Sequence, residues 1–149
     1  MDQRRRVESL LDSELALAEQ LAAVLDAERT ALTGVSPDSV SEQAARKVEL
    51  LTRLEQMEQA RRDLCHDSGI ALPPVDAAGT VADAVTSRWR SLMDVMARCR
   101  SANEVNGYII NVRRNQVQQL IDVVRGTKSL TYGPAGRTYS SAQRELARA

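Results

Sequence analysis

Residues 85–124 read VTSRWRSLMDVMARCRSANEVNGYIINVRRNQVQQLIDVV, and this stretch decides the fold. Its large side chains recur with a period of 3.6 residues, which places them on one face of a helix. Thr80 with Asp83 is a helix-start signature, and Gly126 suits the residue after the last turn. The stretch therefore predicts one helix over residues 80–125, about 70 Å long. The residues on its face are Val85, Trp89, Leu92, Met96, Cys99, Asn103, Asn106 or Gly107, Ile110, Arg114, Val117, Ile121 and Val124.

Two shorter helices are predicted ahead of this stretch. Leucines and valines recur at spacings of three, four and seven over about residues 2–33, and Gly34 is expected to end this helix in a left-handed cap. Ser36 and Pro37 suit the cap and the first position of a second helix over about residues 37–67. Its expected buried stripe is Val40, Ala44, Val48, Leu51, Leu54, Met57 or Glu58, and Leu64.

The predicted fold class is all-α, with three long helices in an antiparallel up-down-up bundle over residues 1–126. Short connections between helices favour this arrangement. The first two helices span about 45–50 Å, so the last turns of the third helix overhang. The apolar residues of that overhang must be covered by something. They are Ile109, Ile110, Val117, Leu120, Ile121 and Val124.

The chain after the third helix has a different composition. Residues 126–149 contain three glycines, one proline and few large apolar side chains. Such a segment buries too little apolar surface to order itself. Residues 127–149 are therefore predicted to form a flexible tail.

Composition excludes several classes of function. Twenty basic and twenty acidic residues balance, so no overall charge favours nucleic acid or an anionic membrane. No run of 18 or more apolar residues is present, which excludes direct membrane insertion. The N-terminal segment lacks the pattern of a secretory signal. Cys65 and Cys99 have no metal or redox spacing, so we expect a cytoplasmic protein with free thiols.

No arrangement of polar residues indicates an enzyme, a metal site or a cofactor site. Cys65, His66 and Asp67 are consecutive, and neighbours on a helix point about 100° apart, so they cannot converge on one ion. Glu14 and Glu28 are separated by about 21 Å of helix, which is too far for paired acid–base catalysis. We expect Glu28 to pair with an arginine of another helix.

The basic cluster Arg4–Arg6 opposes the dipole of the first helix. We interpret it as a solvated terminus, with a site for an acidic partner as the alternative.

Residues 103–110, NEVNGYII, interrupt the apolar stripe of the third helix with small and polar side chains. Glycine inside a helix costs roughly 1 kcal/mol relative to alanine, so the segment needs an explanation. In one interpretation Gly107 admits a neighbouring backbone of the same chain, while the asparagines cap or face water. In the other, the segment receives a helix from another protein.

The chain resembles the FlgN family along nearly its whole length. The most specific pieces are the pattern Asn-x-x-Asn-Gly-x-x-Ile at residues 103–110 and the pattern Thr-Tyr-Gly-x-x-Gly at residues 131–136. The segments ELLTRLEQMEQARRDL of the second helix and RWRSLMDVMARCRSANEVNGYIINVRRNQV of the third are also similar to it.

The resemblance implies an all-helical, cytoplasmic flagellar type III export chaperone. Its partners would be the hook–filament junction proteins FlgK and FlgL, bound through their C-terminal helices and delivered to the cytoplasmic domain of the export gate. Tyr132 would then dock on the gate. The expected substrate-protein contacts are Asn103, Asn106, Gly107, Ile110, Val117, Leu120, Ile121 and Val124.

The main alternative is a structural or adaptor coiled coil that self-associates through the third helix. Heptad-like spacing in the helices favours it. In that case a second copy of the chain would cover the overhang, and the pattern TYGPAG would have no obvious role.

Overall fold

The computed structural model describes residues 2–34, 36–72, 83–126, 131–132 and 138–139. Three long helices account for most of them: α1 (Gln3–Thr33), α2 (Pro37–Ser68) and α3 (Ala84–Val124). The strands β1 (Thr131–Tyr132) and β2 (Thr138–Tyr139) follow. The predicted all-α fold class, a bundle of three long helices, is confirmed. The expected start of the third helix at Thr80 lies outside the described residues.

The helix ends show which local signals were interpreted correctly. Gly69, after α2, has a φ of 68° and forms a left-handed cap. Gly34, after α1, has a φ of −89°, so the prediction of a left-handed cap there is wrong. Its N–H still donates to the carbonyls of Thr30 and Ala31, at 3.1 and 3.2 Å. An extended backbone is sufficient here because those two bonds already satisfy two of the carbonyls at the C-terminal end of α1.

Contacts between the helices establish their directions over residues 1–107, which form one compact unit. Along α1, the partners in α2 occur in descending order, so α1 and α2 are antiparallel; Glu14 binds Arg61 and Glu28 binds Lys47. The partners in α3 occur in ascending order, so α1 and α3 are parallel; Asp12 accepts from Arg88, and the carbonyls of Ala18 and Leu25 accept from Cys99 and Asn106.

The core of this unit lies around α1, which contributes buried side chains along its full length. The buried residues of α2 are Leu50, Leu54, Arg61 and Cys65, and of these only Leu54 belongs to the predicted stripe. Leu50 is buried, whereas Leu51 and Val48 are 46% and 62% exposed. Leu50 and Leu51 are equivalent in hydrophobicity and lie 100° apart on the helix. The ion pairs of Lys47 and Arg61 with α1 fix the rotation of α2, and that rotation turns Leu50 inward.

Two polar layers, each with a buried glutamate of α1, connect all three helices. In the first, Nε of Arg61 donates to Oε1 of Glu14 at 2.7 Å, and the guanidinium lies 4.9 Å from the centre of the Trp89 ring. In the second, Nζ of Lys47 donates to Oε1 of Glu28 at 2.7 Å and to Oδ1 of Asn103 at 3.4 Å.

The two layers are 14 residues apart on every helix, which is two heptads. The equivalent positions are Glu14 and Glu28 in α1, Lys47 and Arg61 in α2, and Trp89 and Asn103 in α3. A shift of one helix by a turn would leave a buried charge without its partner, which is strongly destabilising. The layers therefore oppose slippage of the helices. The expected pairing of Glu28 with an arginine is corrected, because its cation is Lys47.

Residues 108–149 form a second compact unit. It contains the C-terminal part of α3 and an antiparallel ladder in which Thr131 pairs with Tyr139 and Tyr132 pairs with Thr138. The sequence analysis did not predict this ladder. Apart from these four residues, the predicted tail over residues 127–149 lies outside the described residues, and its flexibility stays a prediction.

Candidate partner-binding surface

Asn106 is a core residue, so its assignment as a partner contact is corrected. Its side chain is 1% exposed. Its Nδ2 donates to the carbonyl of Leu25 at 2.9 Å and to Oε2 of Glu28 at 2.8 Å. Its Oδ1 accepts from Nε of Arg29 at 3.3 Å. Both donors and an acceptor site are used, so nothing is left to offer a docking helix.

Gly107 and Asn103 differ from Asn106 because both are accessible at the surface of α3. A methyl group added at Gly107 would have no heavy atom within 4 Å in the part of the chain that the structure describes. The interpretation that Gly107 admits a neighbouring backbone of its own chain is therefore wrong. Asn103 is exposed and accepts one long bond from Lys47. These two residues remain candidates for contact with another protein.

The α3 segment over residues 108–124 has an exposed apolar face. Ile110, Val117, Ile121 and Val124 have spacings of seven, four and three, which places them within one narrow arc of the helix. Their side chains are between 36% exposed, at Ile121, and 86% exposed, at Val124. Leu120, at 66%, borders the same arc. Arg113 and Arg114 flank the stripe between Ile110 and Val117, so the face combines aliphatic side chains with positive charge.

The remaining predicted contact is Tyr132, the expected docking residue for the export gate. Its backbone pairs with Thr138 in the two-residue ladder. A tyrosine placed in such a short ladder has its backbone direction fixed by the pairing. The backbone pairing does not test whether Tyr132 docks on the export gate, and that role stays a prediction.

Burial raises the pKa of three groups in the bundle, Glu14, Cys65 and Cys99. Burial raises the pKa of Glu14 above its ordinary value of 4.5, although the bond from Arg61 acts in the opposite direction. Burial also raises the pKa of the Cys65 and Cys99 thiols, which disfavours the reactive thiolate. Among the described residues, no group of three or more His, Cys, Asp or Glu side chains could hold a metal ion.

The basic cluster at the start of α1 is not simply solvated. Arg4 forms an ion pair with Asp83, the residue before α3, and lies 3.9 Å from Glu8. Arg88 donates to Asp12 at 2.7 Å nearby. The pairs of Arg4 with Asp83 and of Arg88 with Asp12 connect the beginnings of α1 and α3 at the surface, where solvent and salt screen them.

Sequence analysis missed an open seam between α2 and α3. Leu51 of α2 together with Met96 and Arg100 of α3 borders it. The signal was present in the sequence, because lysine and arginine 14 residues apart in α2 matched two glutamates 14 residues apart in α1. Pairing those charges would have turned Leu51 outward.

Within the described ranges, no helix is both long enough and apolar enough to cross a membrane.

The similarity of the chain to known proteins extends over nearly its whole length. A family model described as FlgN protein matches residues 1–140. Two curated relatives, each called Flagella synthesis protein FlgN, come from Salmonella typhimurium (strain LT2) and Salmonella typhi. Each is 24% identical over 136 residues, which cover 89% of this chain and 90% of the relative. No solved structure matches the chain.

Proposed function

The chain belongs to the FlgN family, and on that premise we propose that it is a cytoplasmic flagellar export chaperone. Its clients are the hook–filament junction proteins FlgK and FlgL, bound through their C-terminal helices. Binding prevents premature assembly of the clients, and the complex is delivered to the cytoplasmic domain of the export gate.

The exposed apolar face of residues 108–124 is the observation that carries this proposal. A surface with five large aliphatic side chains at 36–86% exposure is costly to leave in water. An amphipathic helix covers such a stripe with residues spaced by three, four and seven, because its own apolar face has the same period. Helical ends of assembly proteins have this form when they are not yet packed in the assembled structure.

The charges beside the stripe favour an acidic border on the client helix. Arg113 and Arg114 lie within one turn of Ile110 and Val117. Rim charges contribute mainly to association rate and to register, while the aliphatic contacts supply most of the affinity.

Calorimetric titration of the C-terminal helical segment of FlgK into the protein tests this proposal. The double variant Val117→Asp/Ile121→Asp should bind at least about tenfold more weakly, because each new carboxylate must be desolvated without a partner. Both side chains are exposed, so the helical circular dichroism spectrum should not change.

Val123→Asp is the matched control for this titration. Val123 is 61% exposed, close to the 54% of Val117, but lies about 120° away from Val117 around the helix. Its affinity should stay within about threefold of wild type. Equal affinity of wild type and the double variant would contradict binding at this face.

Gate docking through Tyr132 is the second part of the proposal. An aromatic anchor at an interface typically contributes about 1–3 kcal/mol. Titration of the chaperone–client complex into the cytoplasmic domain of the export gate should therefore show weaker capture for Tyr132→Ala, with client affinity unchanged within a few-fold. Equal gate affinity for wild type and variant would rule out this role.

Self-association through α3 is the competing function, favoured by the same exposed stripe. A second copy would cover Val117 and Ile121 in place of a client. Size-exclusion chromatography with light scattering distinguishes the two. A dimer that persists at nanomolar concentration supports the self-association, whereas a monomer supports the chaperone function.

A further inference from the structure

A groove lies between α2 and α3 in the unit formed by residues 1–107, with α1 as its floor. The floor is formed by Leu21 and Leu25, which are almost fully buried. Leu51 of α2 lines one wall, and Met96 of α3 lines the other. The cavity has a volume of about 160 Å³. Small-molecule sites have volumes of roughly 300–1,000 Å³, so this cavity is better matched to one or two side chains.

Exposed apolar residues extend the groove along both helices. Val48 lies one turn before Leu51 in α2, and Met93 lies one turn before Met96 in α3; both are more than a third exposed. Leu51 and Met96 therefore line a seam between two antiparallel helices, with Val48 and Met93 exposed one turn before them. This is the position that a fourth helix occupies in a four-helix bundle.

The rim of the groove is positively charged. Its eight lining residues include the cations Lys47 and Arg100 and no carboxylate. Glu28 balances the charge of Lys47 at 2.7 Å. Arg100 is exposed and has no ion pair within the described part of the chain. Arg100 therefore contributes the unmatched charge, and an acidic side chain on the occupant complements it.

The α3 wall also provides room for a second backbone. Gly107 lies one turn beyond Asn103, on the groove side of α3. The space where its side chain would be is open. A helix that follows the groove past Asn103 can approach α3 closely at this point, which offers a reason for glycine inside the helix.

We propose that the groove between α2 and α3 is a docking site for an amphipathic helix of the exported client. The helix inserts a large apolar side chain over Leu21 and Leu25 and presents Asp or Glu, one turn away, to Arg100. The identification of this helix as part of the exported client rests on the proposed function. It goes beyond that function because it adds a binding surface outside residues 108–124.

The test uses the full chain with its methionine methyl groups labelled with ¹³C and the C-terminal helical segment of FlgK as the probe. Met96 lines the groove and the exposed Met93 lies one turn before it on α3, whereas Met57 of α2 does not line the groove. Addition of the segment should shift the methyl signals of Met93 and Met96 and leave that of Met57 in place. Binding with both groove signals unmoved would overturn the groove assignment while the chaperone function stands. Absence of any binding would overturn both.

Affinity measurements on two variants provide a second readout. Leu51→Glu should weaken binding of the segment at least about tenfold, because it places a charge against the apolar anchor. Val105→Glu is the matched control, since Val105 is 43% exposed, against 46% for Leu51, and does not line the groove. Equal affinities for these two variants would overturn the proposal.

The charge at the rim and a competing occupant are tested in the same experiments. Arg100→Gln should weaken binding of the segment and reduce its dependence on salt, because an exposed charge pair is screened by ions. A salt dependence identical to wild type would overturn the assigned acidic contact.

A shift of the Met93 and Met96 signals on dilution of the protein alone would assign the groove to a second copy and overturn the client assignment.

Discussion

Asn106 donates a hydrogen bond of 2.8 Å from its side-chain amide to Oε2 of Glu28, and this bond joins α3 to α1 inside the core. The other carboxylate oxygen of Glu28 accepts from Lys47 of α2. One buried carboxylate therefore has donors from two other helices. The same asparagine also donates to the carbonyl of Leu25 in α1, so the polar interruption of the apolar stripe is a structural connection.

Replacement of Asn106 with alanine should lower the free energy of unfolding by about 1–3 kcal/mol. The variant removes one of the donors to the buried Glu28 carboxylate and the side-chain bond to the Leu25 carbonyl. Asn103→Ala is the matched control, because its side chain is exposed and makes one bond of 3.4 Å. Urea unfolding of the two variants is the measurement. An equal effect in both would contradict the core role of Asn106.

The free energy of unfolding should fall more when one partner of the Glu14–Arg61 pair is removed than when both are removed. Arg61→Met leaves Glu14 buried without its cation and should cost about 3–5 kcal/mol of stability. The double variant Glu14→Leu/Arg61→Met removes both charges and should recover most of that loss. Chemical unfolding of the single and double variants gives the coupling between the two residues. Additive losses would mean that the pair does not interact energetically.

Stability should depend on pH through Glu14. Burial raises its pKa, so the folded protein binds this proton more tightly than the unfolded chain does. Its contribution to stability is therefore fully present below the unfolded pKa near 4.5 and is lost as the pH rises through the folded pKa. Wild type should lose stability relative to Glu14→Gln as the pH rises across that window. The opposite slope would show that the bond from Arg61 outweighs burial.

Substitutions at Gly107 separate helix propensity from partner contact. Gly107→Ala should raise the stability of the free protein by up to about 1 kcal/mol, since its side chain meets only open space. Gly107→Leu should fold equally well but weaken client binding, because the larger side chain blocks close approach of a helix. Thermal melts and client titrations of both variants are the measurements. Unchanged binding by the leucine variant would remove the contact role.

The helices themselves could be predicted from the sequence because their signals are local. Periodic leucines, a proline at the start of α2 and glycines after α2 and α3 act within one or two turns. The apolar face of residues 108–124 was also predictable, since its large side chains recur with the period of a single helix. The FlgN patterns added a hypothesis of function that no periodicity could supply.

The tertiary structure decided which of two equivalent local choices was used. Leu50 and Leu51 have the same intrinsic preferences, and only the pairing of Lys47 and Arg61 with α1 exposes one and buries the other. Asn106 and Gly107 are adjacent, yet one is fully bonded in the core and the other faces open space. These outcomes depend on partners 19 to 81 residues away along the chain. Periodicity in one helix identifies which residues share its face, whereas the geometry of the other two helices determines what that face contacts.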